Sequence, residues 1–209
     1  MQILYFLAAA ALGYLCGSIP FGFIYVRLFK GEDLTKIGSG RTGGTNSFRA
    51  AGLGVGVLTS FSDVLKGAAA VWLTTRLVGG ALGPELLPWA QATAGVFAVI
   101  GHNWSIFLKF GGGAGTGPNV GWSAAIWPWI FPIAFLVMGG MLYFVGMASV
   151  ASLSMAVVTI VIFAIRLAMG IDTTVAYLSG RIVAGLGVTR ALRPNIRRVL
   201  SGTERLVGR

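Results

Sequence analysis

The sequence predicts an all-α integral membrane protein, a bundle of about seven transmembrane helices with glycine-rich motif loops at the cytoplasmic face. Three observations predict it. Charged residues make up only 11% of the 209 residues, against 56% hydrophobic, whereas a soluble domain carries about a quarter charged residues. Apolar runs long enough to cross, or nearly cross, a bilayer recur along the chain. Three polar or glycine-rich stretches, 38–46, 111–117 and 190–204, interrupt or flank those runs, and threading the chain through a bilayer puts all three on one side.

The apolar runs fall at about 2–27, 53–79, 87–110, 116–130, 131–147, 149–168 and 171–188. Met1 to Phe29 lacks a basic leading region and a small-residue cleavage pattern, so it reads as a retained first helix. Trp127-Pro128-Trp129 and Pro132 divide 116–147 into two spans, because prolines and interfacial aromatics mark a turn at the membrane surface; one long tilted span is the alternative. Arg181 interrupts the seventh run and must face a polar interior or snorkel to the surface. Gly52, Gly54, Gly56, Gly140, Ala148 and Ala151 let helix backbones approach closely, which favours a tight bundle. No long hydrophilic stretch separates a second domain, so residues 1–209 read as one polytopic domain with a basic tail from about 190.

Orientation follows from the basic residues. Lys30, Lys36, Arg41 and Arg49 lie in the 28–52 connection, and Arg190, Arg193, Arg197, Arg198, Arg205 and Arg209 in the tail. The 80–86 connection has no Lys or Arg. Seven spans then give an external N-terminus and a cytoplasmic C-terminus. The opposite side is charge-poor apart from Arg76, Glu85, Arg166 and Asp172. The net charge of +10 fits anionic lipid head groups and an anionic substrate, and the apolar bulk argues against a nucleic-acid partner. Cys16 is the single cysteine, which excludes an intrachain disulfide. With one histidine and six scattered acids, neither a metal site nor a cofactor is expected.

Within 38–46, Gly38, Gly40, Gly43 and Gly44 can take positive φ, so successive amides can surround an anion. Ser39, Thr45 and Asn46 add donors, and Arg49 can fork onto phosphate oxygens; a flexible loop with a helix cap is the plainer reading. Gly111 to Gly117 reads as an unwound backbone lining a polar cavity, because lipid does not tolerate unpaired peptide groups; a plain interhelical turn is the alternative. Asp63 and Lys66 share one helical face, as an ion pair or as part of a site. His102 is either a general base or a hydrogen-bonded core histidine. Arg193, Asn195, Arg197 and Arg198 either anchor the tail to head groups or complete a phosphate site.

Taken together and in order, these segments resemble the bacterial acyl-phosphate-dependent glycerol-3-phosphate acyltransferase family (PlsY type). The resemblance rests on Gly17-Ser18-Ile19-Pro20-Phe21-Gly22, on Lys36-Ile37-Gly38-Ser39-Gly40 with Thr45-Asn46 and Arg49, and on Asp63-Val64-Leu65-Lys66-Gly67. It continues through Gly101-His102-Asn103-Trp104 and Gly112-Gly113 with Gly115, Ser149 and Ser152, and Asn195-Ile196 with Arg198, Gly202 and Glu204. It implies a bacterial inner-membrane enzyme that moves a fatty acyl group from acyl phosphate to the 1-hydroxyl of glycerol 3-phosphate, beside membrane lipids. It further implies that Ser39, Arg49 and Asn195 contact substrate phosphates. The candidate binding set is Ser39, Gly40, Thr45, Asn46, Arg49, Lys66, Gly112, Gly113, Gly115, Ser149, Arg193 and Asn195. His102 is the candidate catalytic base, with substrate-assisted proton transfer preferred.

The sequence also departs from the pattern. Ala114 stands in the place of a lysine, Pro118 of a threonine, Gly146 of an arginine, Leu192 and Pro194 of a histidine and a glutamate, and Arg41 of an asparagine. Arg41, Lys109 and Arg190 are the nearby cations available to compensate. A small anion transporter and a degenerate or paralogous lipid-binding homologue are the competing readings.

Overall fold

The computed structural model describes residues 1–171 and 174–207; Asp172 and Arg209 lie outside the described residues. Each expected apolar run coincides with helix, and several boundaries move. The first run is two helices, α1 (Gln2–Ser18) and α2 (Phe21–Lys30). Pro20 lacks an N–H and disfavours helical geometry in the residue before it, and Ile19 accordingly has ψ 116°. α3 (Gly44–Ala51) is a short helix that lies between Gly43 and Gly52, and α4 (Leu53–Val78) follows at once.

α5 (Leu87–Asn103) stops seven residues before the expected end, because the chain turns at Ile106–Leu108. α6 (Thr116–Ile126) and α7 (Ile130–Phe144) are separated at 127–129, so the single tilted span does not occur. α6 has 11 residues, about 16 Å at the helical rise, too short to cross a hydrocarbon core of about 30 Å alone. α8 (Ala148–Ala168) and α9 (Val175–Ala191) complete the long elements, and α10 (Arg193–Leu200) is the tail helix. Among the described residues, three segments are long and apolar enough to cross by themselves: Gln2–Lys30, Leu53–Ala81 and Ala148–Ala168.

Packing depends on small residues, some of them expected, such as the buried Ala151, and some not. Gly13 and Gly17, one turn apart, press directly on the backbone of Ala94 and Ala98 in α5, and α1 makes its largest interface there. A Cβ on Gly54 or Gly140 would meet nothing, so those glycines face outward, whereas Gly56 does lie against Phe48. Without a hydrophobic force between helices in lipid, such close backbone contact is what holds a pair together. Arg181 takes the interior option. It is fully buried, 3.1 Å from the Trp122 ring centroid and 4.2 Å from that of Phe163, and it donates to the Ser123 hydroxyl.

Gly17→Val should therefore force α1 off α5 at a cost of about 1–3 kcal/mol, lowering the thermal midpoint in detergent by several degrees. Gly139→Val, at a position with open space around it, should leave the midpoint unchanged. Equal midpoints for the two variants would refute this interface.

Candidate active site

The first loop is organised by Asn46. Its buried side chain accepts the Ser39 amide at 3.1 Å and donates to the carbonyls of Ile37 and Arg41, each at 2.9 Å. Gly38 and Gly40 adopt φ of 55° and 69°, which lets the loop curl around that amide. Gly43 and Gly44 do not take positive φ; Gly43 caps α3 in an extended conformation. Ser39 and Thr45 are half-buried at the rim.

The second loop lies against the end of α5. The Gly113 amide donates to the His102 carbonyl at 2.9 Å, and a side chain on Gly113 would strike the imidazole. Gly112 meets the backbone of the same turn. Gly115 (φ 81°) opens α6, whose first-turn amides have no intrahelical acceptor.

α10 divides its residues by face. Arg193 and Arg197 are exposed and line, with Trp104 and Arg190, a groove of about 350 Å³. Asn195 and Arg198 turn inward. Arg41 from the first loop donates to the Gly113 carbonyl (3.1 Å), to the Ala191 carbonyl and to Asn195 Oδ1 (3.0 Å). Asn195 Nδ2 donates to Glu204 Oε1 (2.7 Å), as does the Ser149 hydroxyl (2.8 Å), while Arg198 Nε donates to Oε2 (2.9 Å). The tail then crosses back. Arg49 donates to the Leu206 carbonyl at 3.2 Å, and the Val207 amide to that of Gly146 at 2.7 Å. All three polar stretches thus meet at one end of the bundle.

A second cluster lies behind the Gly113 loop. Lys66 Nζ is 2.8 Å from Asp63 Oδ1, and both are buried. The ammonium also donates to the Ile19 carbonyl at 2.8 Å, beside the break before Pro20, and the same carbonyl accepts the Phe21 amide at 3.1 Å. His102 Nδ1 is 3.6 Å from Asp63.

Of the candidate residues, Ser39, Gly40, Asn46, Gly112, Gly113, Gly115, Ser149 and Asn195 gather around the polar end, with Thr45 and Arg49 at its edge. Lys66 belongs to the ion pair behind it, His102 is covered by Gly113, and Arg193 points away. Arg41, Arg198 and Glu204 were outside the candidate set and are central to the network. The departures also have places. Leu192 is buried in the main core, with Ala114 packed against it. Pro194 begins α10, Pro118 lies in the first turn of α6, and Gly146 has φ 72°, where an arginine would be strained.

Glu204 is the carboxylate that pairs with Arg198, and its charge also reaches Arg41 and Arg49. Burial works against its charge, but hydrogen bonds from Asn195, Ser149 and Arg198, with the Arg198 charge, outweigh that and hold it below the usual value. Arg41 and Arg49 are drawn below theirs by burial first, then by Arg198 and Arg205 respectively, with Glu204 opposing. This corner carries surplus positive charge.

A helical membrane bundle with amide-rich loops and guanidiniums converging at one end is a protein built to hold anions beside lipid. The family model for glycerol-3-phosphate acyltransferase matches residues 7–202. The chain is 39% identical over 199 residues to the glycerol-3-phosphate acyltransferase of Rubrobacter xylanophilus, covering 94% of this chain and 92% of that one. It is 35% identical over 196 residues to that of Halalkalibacterium halodurans, with the same coverage of 94% and 92%. Among solved structures, PlsY (YgiH), an integral membrane glycerol 3-phosphate acyltransferase, superposes in its glycerol 3-phosphate form with a TM-score of 0.83. The identity is 32%, over 97% of this chain and 96% of that chain. Its lysophosphatidic acid form gives 0.81 at 31% identity, over 96% and 94%. The chain belongs to the glycerol-3-phosphate acyltransferase family and is an integral membrane acyltransferase.

Because the Glu204 carboxyl is held down, its contribution to stability is complete above the ordinary glutamate value of 4.5 and is lost as pH falls through the lower folded value. The thermal midpoint in detergent should drop over that acidic window, and less steeply in Glu204→Gln. Identical pH profiles for the two proteins would show that the carboxylate network does not stabilise the tail.

Proposed function

We propose that the chain transfers a fatty acyl group from acyl phosphate to the 1-hydroxyl of glycerol 3-phosphate at the cytoplasmic face of a bacterial inner membrane. The product is 1-acylglycerol 3-phosphate. The observation that carries this reading is the meeting of both glycine loops and α10 around Arg41, in a family whose solved relative exists in glycerol 3-phosphate and lysophosphatidic acid forms.

Both substrates are anions, and their repulsion opposes approach. The excess of guanidinium over carboxylate offsets that repulsion and stabilises charge that develops on the departing phosphate. Acyl phosphate is already activated, so orientation is the larger task. The 1-hydroxyl oxygen bonds to the acyl carbon, the bond from that carbon to the phosphate oxygen breaks, and the hydroxyl proton goes to the released phosphate. His102 supports this substrate-assisted route by being unsuited to the alternative, since its ring is buried under Gly113. An apolar groove of about 410 Å³, lined by Ile19, Pro20, Phe23, Ile24, Phe107 and Leu108, suits the acyl chain. The basic tail and 28–52 connection favour the cytoplasmic side for this end. Residues 1–209 act as one domain in this reading.

Membranes holding the protein should convert acyl phosphate and labelled glycerol 3-phosphate into lysophosphatidic acid; product formed with acyl-CoA alone would contradict the donor. Asn195→Ala, which removes a ligand of both Arg41 and Glu204, should lower kcat/KM by about ten- to a hundredfold. An unchanged kcat/KM would dismiss the pocket. Arg49→Ala with full activity would remove Arg49 from the phosphate contacts.

A further inference from the structure

We infer that Arg41 is the phosphate-gripping cation of this pocket and that it supplies, from the first loop, the charge that Ala114 does not supply from the second. The inference deepens the acyl-transfer reading and takes its two phosphate-bearing substrates from it. The departures at 41 and 114 are then one change seen twice, a positive charge moved from one loop to its neighbour across the pocket.

Four observations carry it. First, Arg41 is the side chain that touches the second glycine loop and the tail helix together, through Gly113, Ala191 and Asn195. Second, those three acceptors are neutral oxygens. Among the described residues no carboxylate lies within ion-pairing distance of Arg41, because Glu204 is engaged by Asn195, Ser149 and Arg198. A half-buried guanidinium with no ion partner is a place where an anion gains more than in water. Third, three of its five donors are engaged among the described residues, and five minus three leaves two for a ligand.

Fourth, most of the other cations near the pocket are ion-paired or exposed. Lys66 pairs with Asp63 and Arg198 with Glu204, Lys109, Arg190 and Arg193 are exposed, and Arg49 stands at the edge, bonded to the tail carbonyl of Leu206. Ala114 itself packs against the apolar cluster that contains Leu192 and Val188, which leaves the second loop without charge. Burial and the nearby Arg198 both draw the Arg41 pKa below its usual value; a bound anion would relieve both.

The test compares the wild type with Arg41→Asn, Arg41→Lys and the double variant Arg41→Asn/Ala114→Lys, each purified in detergent and checked for a single monodisperse species. Inorganic phosphate, against chloride at matched ionic strength, is titrated while the thermal midpoint is followed. Separate KM values are measured for acyl phosphate and for glycerol 3-phosphate. The wild-type midpoint should rise with phosphate. Arg41→Asn should weaken the apparent phosphate affinity by about tenfold or more, and Ala114→Lys on that background should recover a large part of it. Whichever KM rises in Arg41→Asn identifies the phosphate that Arg41 holds.

Should Arg41→Asn fail to fold, Arg41→Lys keeps the charge but not the planar fork, and its affinity should fall several-fold. Wild-type phosphate affinity in whichever of these two single variants folds would overturn the assignment, as would a folded double variant that recovers nothing. Phosphate bound through Arg41 by a protein that makes no lipid product would contradict acyl transfer while leaving the Arg41 site intact.

Discussion

The guanidinium of Arg41 is the tie on which the polar end of the bundle depends. Its three acceptors lie 72, 150 and 154 residues away in the chain, on segments that share no helix. Peptide carbonyls at a loop and at a helix end have unsatisfied acceptor capacity, and in a partly dry setting such groups are costly to leave unpaired. One planar cation with several donors satisfies two of them and a side-chain oxygen together. Asn46 works one level below. By clamping Ile37, Ser39 and Arg41, it fixes the loop from which the guanidinium projects.

From that tie, two consequences run in opposite directions through the structure. Inward, Gly113 carries the connection to His102 and so to the Asp63–Lys66 pair, whose ammonium also donates to the Ile19 carbonyl beside the Pro20 break. Polar groups that would be expensive in a membrane interior are thereby joined into one chain of partners. Outward, Asn195 passes the connection to Glu204, which gathers Ser149 and Arg198 and holds the tail across the end of the bundle. The charge balance of the outward side is the functional point, because three guanidiniums and one carboxylate leave an excess that suits a doubly anionic reaction.

Much of this was legible in the residues. Composition and apolar runs gave the membrane class, and the basic clusters with the glycine loops gave a shared face. The Trp127-Pro128-Trp129 break and the Asp63–Lys66 pairing followed from local rules that burial reinforces. Boundaries were less legible. α5 stops at Asn103 and α6 is short because loop backbone finds partners inside the bundle, which hydropathy does not register. Gly13 looked like any other small residue in an apolar run, and Gly17 stood out within the Gly17–Gly22 motif without any sign of its packing role. Arg41 stood beside Lys109 and Arg190 as one of three cations able to compensate, since nothing local reveals that its acceptors come from segments far along the chain. Likewise, α10 offered two readings for its arginines, and nothing local told that Arg198 would face inward to Glu204 and Arg193 outward.

The central claim is that the three polar stretches occupy one membrane face. Single cysteines placed at exposed positions in or just before each, Lys36→Cys, Lys109→Cys and Arg193→Cys, in a background where Cys16 is replaced by alanine, report it directly. Gly83→Cys in the 80–86 connection marks the other side. With a membrane-impermeant thiol reagent on sealed vesicles of known orientation, the first three should react from the same side and position 83 from the opposite one. Reaction of position 36 and position 193 from different sides would contradict the shared pocket and the chemistry built on it.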